Sequence, residues 1–237
     1  MNALKKMAGK VPVVGPALRS AYSWLLWRSP IARSKWLGQR RMMDRANLHS
    51  FWQTPMPDGN IPKQYIAPEV MERSQALLEM ISNHSKDARI LEVGCNAGRN
   101  VAYLFNAGYK NIEAIEISPH AVDLLRETFP ELEHVPIHLG AAEDALLQFP
   151  EGHFDLVFTM AVLEHIHPDS VEVFDNIARV AKTILTIEPT TFHTSTRQFP
   201  HNIPREFGRR GFRLESKVAM GDLSALRSYS AYSFVRI

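Results

Sequence analysis

Residues 89–100, Arg-Ile-Leu-Glu-Val-Gly-Cys-Asn-Ala-Gly-Arg-Asn, constrain this chain more than any other stretch. The apolar run Ile90 to Val93 reads as a short buried strand. Gly94 and Gly98 then frame a tight turn, because glycine lets the backbone bend sharply and lets a ligand come close. A helix starts there and runs to about Ala107. Strand, glycine turn and helix in that order form the first crossover of an open α/β sheet, and such sheets bind ligands beyond the carboxyl ends of their strands. The helix start offers unpaired N–H groups to an anion. Glu92, at the end of the strand, faces the same crevice. A carboxylate there disfavours a polyphosphate and favours a cation such as an amino group.

Two glycines at this spacing also fit an ordinary β–α turn. The next segment of the chain gives the stretch more weight. Asn111 to Ser118 reads as a second strand ending in an acid, Glu116. That carboxylate falls close to the distance, about 20 residues past the glycines, at which an acid takes ribose hydroxyls. Ser118-Pro119 then caps a helix, with Ser as N-cap and Pro at the first helical position.

Five motifs in order now carry a family resemblance: Leu91-Glu92-Val93-Gly94-Cys95-x-x-Gly98; Glu116; Ala142-Glu143-Asp144; Phe154-Asp155-Leu156-Val157-Phe158; and Val162-Leu163-Glu164-His165-Ile166. From Ile90 to Pro189 the chain resembles the class I S-adenosylmethionine-dependent methyltransferases of the small-molecule type. The resemblance implies a Rossmann-like α/β fold: a seven-stranded, mostly parallel sheet with helices on both faces. It ends in a C-terminal antiparallel pair whose last strand lies between the fifth and sixth. It implies S-adenosylmethionine as cofactor, held by Glu92, Gly94, Cys95, Asn96, Gly98, Asn100, Glu116, Ile117, Ser118, Ala142, Glu143, Thr159 and Met160. Within that set Glu92 meets the methionine amine, Gly94 to Asn96 the methionine part, Glu116 the ribose and Ile117 the adenine. Two positions depart from the family pattern. Ala141 stands where many members carry an acid for the adenine amine, a contact left to Glu143 or Asp144. Asn96 stands where glycine is common, and Asn tolerates a left-handed backbone better than most residues.

Candidate catalytic groups come after the fourth strand. His165 suits a general base taking a proton from an oxygen or nitrogen nucleophile, because its unperturbed pKa lies near neutrality. It equally suits a structural role at the cofactor pocket. His193, in a polar loop at the same sheet edge, is a second candidate. Glu164, His165 and His193 also suggest the metal cluster of RNA 2′-O-methyltransferases, although Ala161 occupies the place of that cluster's first carboxylate. No metal site is assigned. A cofactor-binding adaptor without chemistry is a further alternative.

Charge divides the chain at its N-terminal end. Residues 1–45 hold ten Lys and Arg against Asp44 alone, a net +9, while the rest carries 17 basic and 24 acidic residues, a net −7. Trp24, Trp27 and Trp36 share this arm. Basic residues among Trp and Leu suit a helix on an anionic membrane, a nucleic-acid contact, or an amphipathic helix packed on its own domain. The acidic balance elsewhere argues against nucleic acid. The uncharged run Ser20 to Trp27 is far short of the ~20 residues of a membrane span. Lys10 and Arg19 interrupt any secretory signal. The single cysteine, Cys95, precludes an intrachain disulfide and suggests a reducing compartment. The expectation is a cytoplasmic enzyme, peripheral at the inner face of a membrane through its arm, acting on a small-molecule acceptor.

Residues 1–67 are thus read as a helical extension and linker, and 68–237 as the methyltransferase domain. Thr54 to Pro62 is rich in turn formers and predicts no regular element, and Phe51, Trp52 and Tyr65 flank it as a candidate acceptor cover. Helices are expected over 68–83, 121–129, 170–181 (capped by Asp169 or Ser170) and near 205–210. Strands are expected over 134–139, 154–159, 184–188, 212–218 and 229–237.

Overall fold

The structure is a computed structural model, and it describes residues 42–56, 60–190, 195–199, 201–221 and 228–237. Seven strands form one sheet: β1 (Ile90–Val93), β2 (Ile112–Glu116), β3 (Ile137–Leu139), β4 (Phe154–Met160), β5 (Ala181–Pro189), β6 (Phe212–Ala219) and β7 (Tyr229–Arg236). Their order is β3-β2-β1-β4-β5-β7-β6. The pairs from β3 to β5 are parallel. β7 runs antiparallel between β5 and β6, as the resemblance implies. Strand order reverses between β1 and β4, so the crevice of this fold opens beyond their carboxyl ends. Val93 pairs with both Ile115 and Thr159, which brings the ends of β1, β2 and β4 level there.

Alternation along the strands builds two cores. Ile90, Ile112, Leu156, Phe158, Leu185 and Ile187 pack on one face. Leu77 of α2 (Met71–Met80), Val101 and Leu104 of α3 (Arg99–Asn106), and Leu125 of α4 (Pro119–Thr128) cover them. Leu91, Val93, Ile115, Val157, Ile184 and Phe234 pack on the other. Val173, Phe174 and Ile177 of α6 (Glu172–Val180) and Phe207 of α7 (Ile203–Gly208) cover those. The four-residue α5 (Ala142–Ala145) follows β3. β6 is the sheet's edge and is exposed beyond Phe212.

Several local expectations change. The helix expected over 68–83 is a 3-10 turn, Pro68–Val70, followed by α2, which ends at Met80. Asp169 and Ser170 do not cap α6. They belong to a 3-10 turn, Pro168–Ser170, whose cap is His167, and Val171 stands unassisted before Glu172. Part of the segment read as a linker is helical: α1 (Arg45–Gln53) begins where Asp44 Oδ1 accepts the Asn47 backbone N–H at 3.0 Å. Its other end is held by Asn60, whose buried side chain donates to the carbonyls of Phe51, Trp52 and Thr54 at 2.7, 3.1 and 3.2 Å. Thr54 to Pro62 itself forms no helix or strand among its described residues beyond the isolated Met56–Asn60 bridge and the start of a 3-10 turn at Pro62.

Ten basic residues and three tryptophans define the N-terminal arm; nine of the former and all three of the latter lie outside the described residues. No helix among the described residues is long and apolar enough to cross a membrane.

Candidate functional site

The glycine turn takes its shape from backbone geometry the side chains enforce. Gly94 and Gly98 have φ of 77° and 78°. A Cβ on Gly94 would lie 2.6 Å from Val162 Cγ2, and one on Gly98 would lie 2.4 Å from Leu125 Cδ1. Asn96, between them, is left-handed at φ 49°. Its own Oδ1 accepts the Ala97 N–H at 2.8 Å, which accounts for Asn at this place. The turn lies directly against β2: Glu116 accepts the Asn96 N–H at 2.7 Å on Oε2 and the Ser118 N–H at 2.8 Å on Oε1. Burial raises the Glu116 pKa against the pull of these N–H groups.

Around this turn lies a cavity with about 980 Å³ of empty volume, part of it open to solvent. It brings together Glu92, Gly94, Cys95, Asn96, Asn100, Glu116, Ile117, Ala142, Glu143 and Met160, and His165 also lines it. Three residues of the expected set stand elsewhere. Gly98 is packed under Leu125 at the start of α3. Ser118 caps α4, accepting the Ala121 N–H at 3.3 Å. The Thr159 hydroxyl points away to Glu188 Oε1, 2.8 Å distant. Asp144 does not line the cavity, whereas Glu143 does and meets His49 Nε2 at 3.0 Å. Cys95 is buried and its pKa is raised well above the usual thiol value by that burial, so it stays a thiol at neutral pH.

Glu92 is 1% exposed. Its Oε1 accepts from Asn100 Nδ2 at 2.7 Å, while Oε2 is buried with no hydrogen-bond partner among the described residues. Burial pushes its pKa up to about 8, against the Asn100 bond and the charge of Arg99. Arg99 also lines the cavity. It donates to Ser74 Oγ at 2.8 Å, to Asn100 Oδ1 at 3.2 Å and to the Tyr65 carbonyl at 3.1 Å. A fourth contact goes to the Met160 sulfur at 3.3 Å. Burial lowers the Arg99 pKa to about 10, yet it remains a cation at neutral pH.

The far wall is aromatic. Trp52 and His165 have ring centroids 4.5 Å apart, and the Trp52 indole N–H is buried with no hydrogen-bond partner among the described residues. His165 Nδ1 lies 2.8 Å from the Arg197 carbonyl. A carbonyl only accepts, so Nδ1 carries a proton, and in the neutral imidazole the lone pair is then on Nε2. Nε2 is 3.9 Å from Glu164 Oε1, which accepts the Tyr229 hydroxyl at 2.7 Å. The Gln198 side chain donates to Glu164 Oε2.

The loop carrying this wall is held by a residue the sequence did not single out. Buried Glu188, near the end of β5, accepts the N–H groups of Val162 at 3.3 Å, Leu163 at 3.1 Å and Glu164 at 3.4 Å, besides the Thr159 hydroxyl. Burial, and then the Glu164 charge, push its pKa up to about 8. The loop needs such a hold, because Ala161 adopts φ 58°, costly for a residue with a Cβ. Leu48, His49, Arg99 and Glu188 are among the residues missed. Arg99 alone had a signal, its place directly after the turn glycine. His193 lies outside the described residues, and among those no three His, Cys, Asp or Glu side chains gather as metal ligands.

Residues 91–183 match the family described as methyltransferase domain. An uncharacterized methyltransferase of Synechocystis is 30% identical over 99 residues, 41% of this chain and 44% of its own. The mitochondrial tRNA N(3)-cytidine methyltransferase of Mus musculus is 35% identical over 89 residues, 34% of this chain and 31% of its own. The chain thus spans less than half the length of these curated relatives. Among solved structures, magnesium protoporphyrin IX methyltransferase from Synechocystis PCC 6803 with bound SAH superposes at TM-score 0.63 and 15% identity, covering 82% of this chain and all of that one. Residues 91–183 thus match the methyltransferase domain family, and the chain around them shares the fold of the methyltransferase structure on which it superposes.

Proposed function

We propose that this chain transfers a methyl group from S-adenosylmethionine to a small-molecule acceptor, with residues 68–237 as the catalytic domain and 42–67 as its cover. The observation that carries the reading is the pair of buried acids, Glu92 and Glu116, on one cavity at the point where strand order reverses. The residues present fit the cofactor. The unpartnered Oε2 of Glu92 suits an ammonium group. Glu116 is pinned by two backbone N–H groups and retains lone pairs for ribose hydroxyls. Ile117, Gly140 and Ala142 offer an apolar slot for adenine beside Glu143.

When bound, the cofactor would supply an activated methyl carbon on a sulfonium, from which an in-line acceptor displaces the neutral thioether. The chain's task is then orientation and proton removal. His165 Nε2 takes the proton of an oxygen or nitrogen nucleophile. Glu164, 3.9 Å away, favours the imidazolium that forms. The Arg197 carbonyl keeps the imidazole turned for this role. Trp52 and Tyr65 cover the acceptor side of the cavity. The relatives' names point to dissimilar acceptors, a tRNA cytidine and a magnesium porphyrin, so they select none for this chain.

Calorimetric titration with S-adenosylmethionine tests the reading. Glu116→Ala should weaken binding by the ~1–3 kcal/mol of lost charge-assisted hydrogen bonds. Unchanged affinity would refute the assignment.

A further inference from the structure

Among the described residues, every Asp, Glu, Lys or Arg that lines the cavity is already engaged beside the glycine turn or by a neighbour. Glu92 and Arg99 both bond Asn100, Glu116 accepts the Asn96 N–H, and Glu143 meets His49. Glu164, Arg73 and Arg197, whose charges reach Tyr65, do not line the cavity. The rest of the lining includes Leu48, Trp52, Tyr65, Val162, His165 and Ile166. Two donors in this group have no acceptor among the described residues. The Trp52 indole N–H is buried and can only donate. The Tyr65 hydroxyl makes no hydrogen bond either. Burial, and then the Glu116 and Glu164 charges, raise its pKa, so it keeps its proton at neutral pH. Trp52 is braced in place. Phe51 meets it edge-on with centroids 5.1 Å apart, and Asn60 bonds its carbonyl at 3.1 Å. The ring of His165 is its other neighbour, at 4.5 Å.

We propose that the methyl acceptor is a flat, uncharged ring compound bearing a hydroxyl beside a second oxygen. The hydroxyl meets His165, and the Trp52 N–H and the Tyr65 hydroxyl donate to the second oxygen. The inference rests on the methyltransferase reading and narrows its acceptor. A charged acceptor would lose its hydration in exchange for no opposite charge on this part of the lining, which is costly. A ring fits because Trp52 and Tyr65 offer aromatic surface, which favours offset and edge contacts with a flat partner. The second oxygen follows from the donor count. A hydroxyl alone could serve His165 but would leave both donors unmatched, and a buried N–H without an acceptor is destabilising. Sites with buried donors placed for a substrate discriminate strongly against an analogue that lacks the matching group. Because Trp52 is braced before the acceptor arrives, little freedom is lost on binding.

Small probes separate the parts of this proposal. 2-Hydroxyacetophenone has a hydroxyl beside a carbonyl, phenol lacks the second oxygen, salicylate is an anion and tyramine a cation. Each is titrated calorimetrically into the full chain saturated with S-adenosylhomocysteine. 2-Hydroxyacetophenone should bind about 10-fold or more tightly than phenol, the discrimination of one hydrogen bond. It should also bind more tightly than either charged probe. Trp52→Phe and Tyr65→Phe each keep a ring and remove one donor, so each should cut the ratio of the first two affinities several-fold. Binding of S-adenosylhomocysteine shows that a variant is folded, and if one variant is not, the other decides. Equal wild-type affinity for 2-hydroxyacetophenone and phenol overturns the proposal. So do ratios unmoved by the variants, tighter binding of salicylate or tyramine, or binding of no probe to the loaded chain. Wild-type protein that fails to bind S-adenosylhomocysteine overturns the methyltransferase reading itself, a failure visible before any probe is added.

Discussion

Asn100 donates its side-chain N–H to Glu92 Oε1 over 2.7 Å, and the buried Glu92 Oε2 receives no hydrogen bond among the described residues. A half-satisfied buried carboxylate resists ionisation, which is why its pKa rises from 4.5 to about 8. Between those values the folded chain holds a proton that the unfolded chain has released. Stability of the ligand-free protein should therefore fall as pH rises through that window and level off above it. Glu188, raised to about 8 as well, contributes with the same sign. Glu116, also raised by burial, adds to the same trend, so Glu92→Gln removes one of these protons and should make the decline shallower. Urea unfolding at intervals across the window measures it, and a variant with an undiminished slope contradicts this account of Glu92.

Gly98 is required by packing against α4. A methyl group there meets Leu125 at 2.4 Å on a backbone of φ 78°, so Gly98→Ala should destabilise by about 1–3 kcal/mol. Part of that cost is steric. Leu125→Ala made in the Gly98→Ala background should therefore cost less than the same change in wild type, and a double-mutant cycle by denaturant unfolding reads the coupling. Strict additivity would show that the clash is relieved by other means.

The cavity wall formed by α1 depends on one amide. Asn60→Ala removes the donor shared by three carbonyls at the end of α1, at an expected cost of about 1–3 kcal/mol for unsatisfied buried groups. The loss should be local. Hydrogen exchange in Arg45–Gln53 should quicken while amides of β1 and β4 keep their protection. Equal loosening everywhere would mean that α1 is not a separate unit of stability.

Glu188 holds the His165 loop without touching the cavity. Glu188→Ala leaves three backbone N–H groups and the Thr159 hydroxyl without their acceptor. A loss of about 3 kcal/mol or more in stability is expected, in the range for breaking a buried network. Thermal unfolding measures it, and a change within about 0.5 kcal/mol, typical of a surface substitution, contradicts the role.

Legibility in the sequence tracks the range of the physics involved. β1, the glycine turn and α3 are set by neighbouring residues, so Ile90 to Asn106 could be read locally. Glu116 was legible because its distance from the turn is set by one crossover. Glu188 was not, because its partners lie 24 to 29 residues away and meet it only when β4 and β5 pair. α1 was missed because proline and glycine downstream dominate the local signal, while its stabiliser, Asn60, sits beyond them. The expectation that Asp169 or Ser170 caps α6 failed because Pro168 starts a separate 3-10 turn. Thr159 and Ser118 entered the expected cofactor set by position along the motif; their side chains bond Glu188 of β5 and the start of α4.

A crystal structure with S-adenosylhomocysteine bound tests the methyl-transfer reading most directly. The account predicts ribose hydroxyls on Glu116, the amino group on Glu92 Oε2, and the sulfur turned toward Trp52, Tyr65 and His165. A crystal in which the nucleoside is absent at saturating concentration, or is seated away from Glu92 and Glu116, would contradict it.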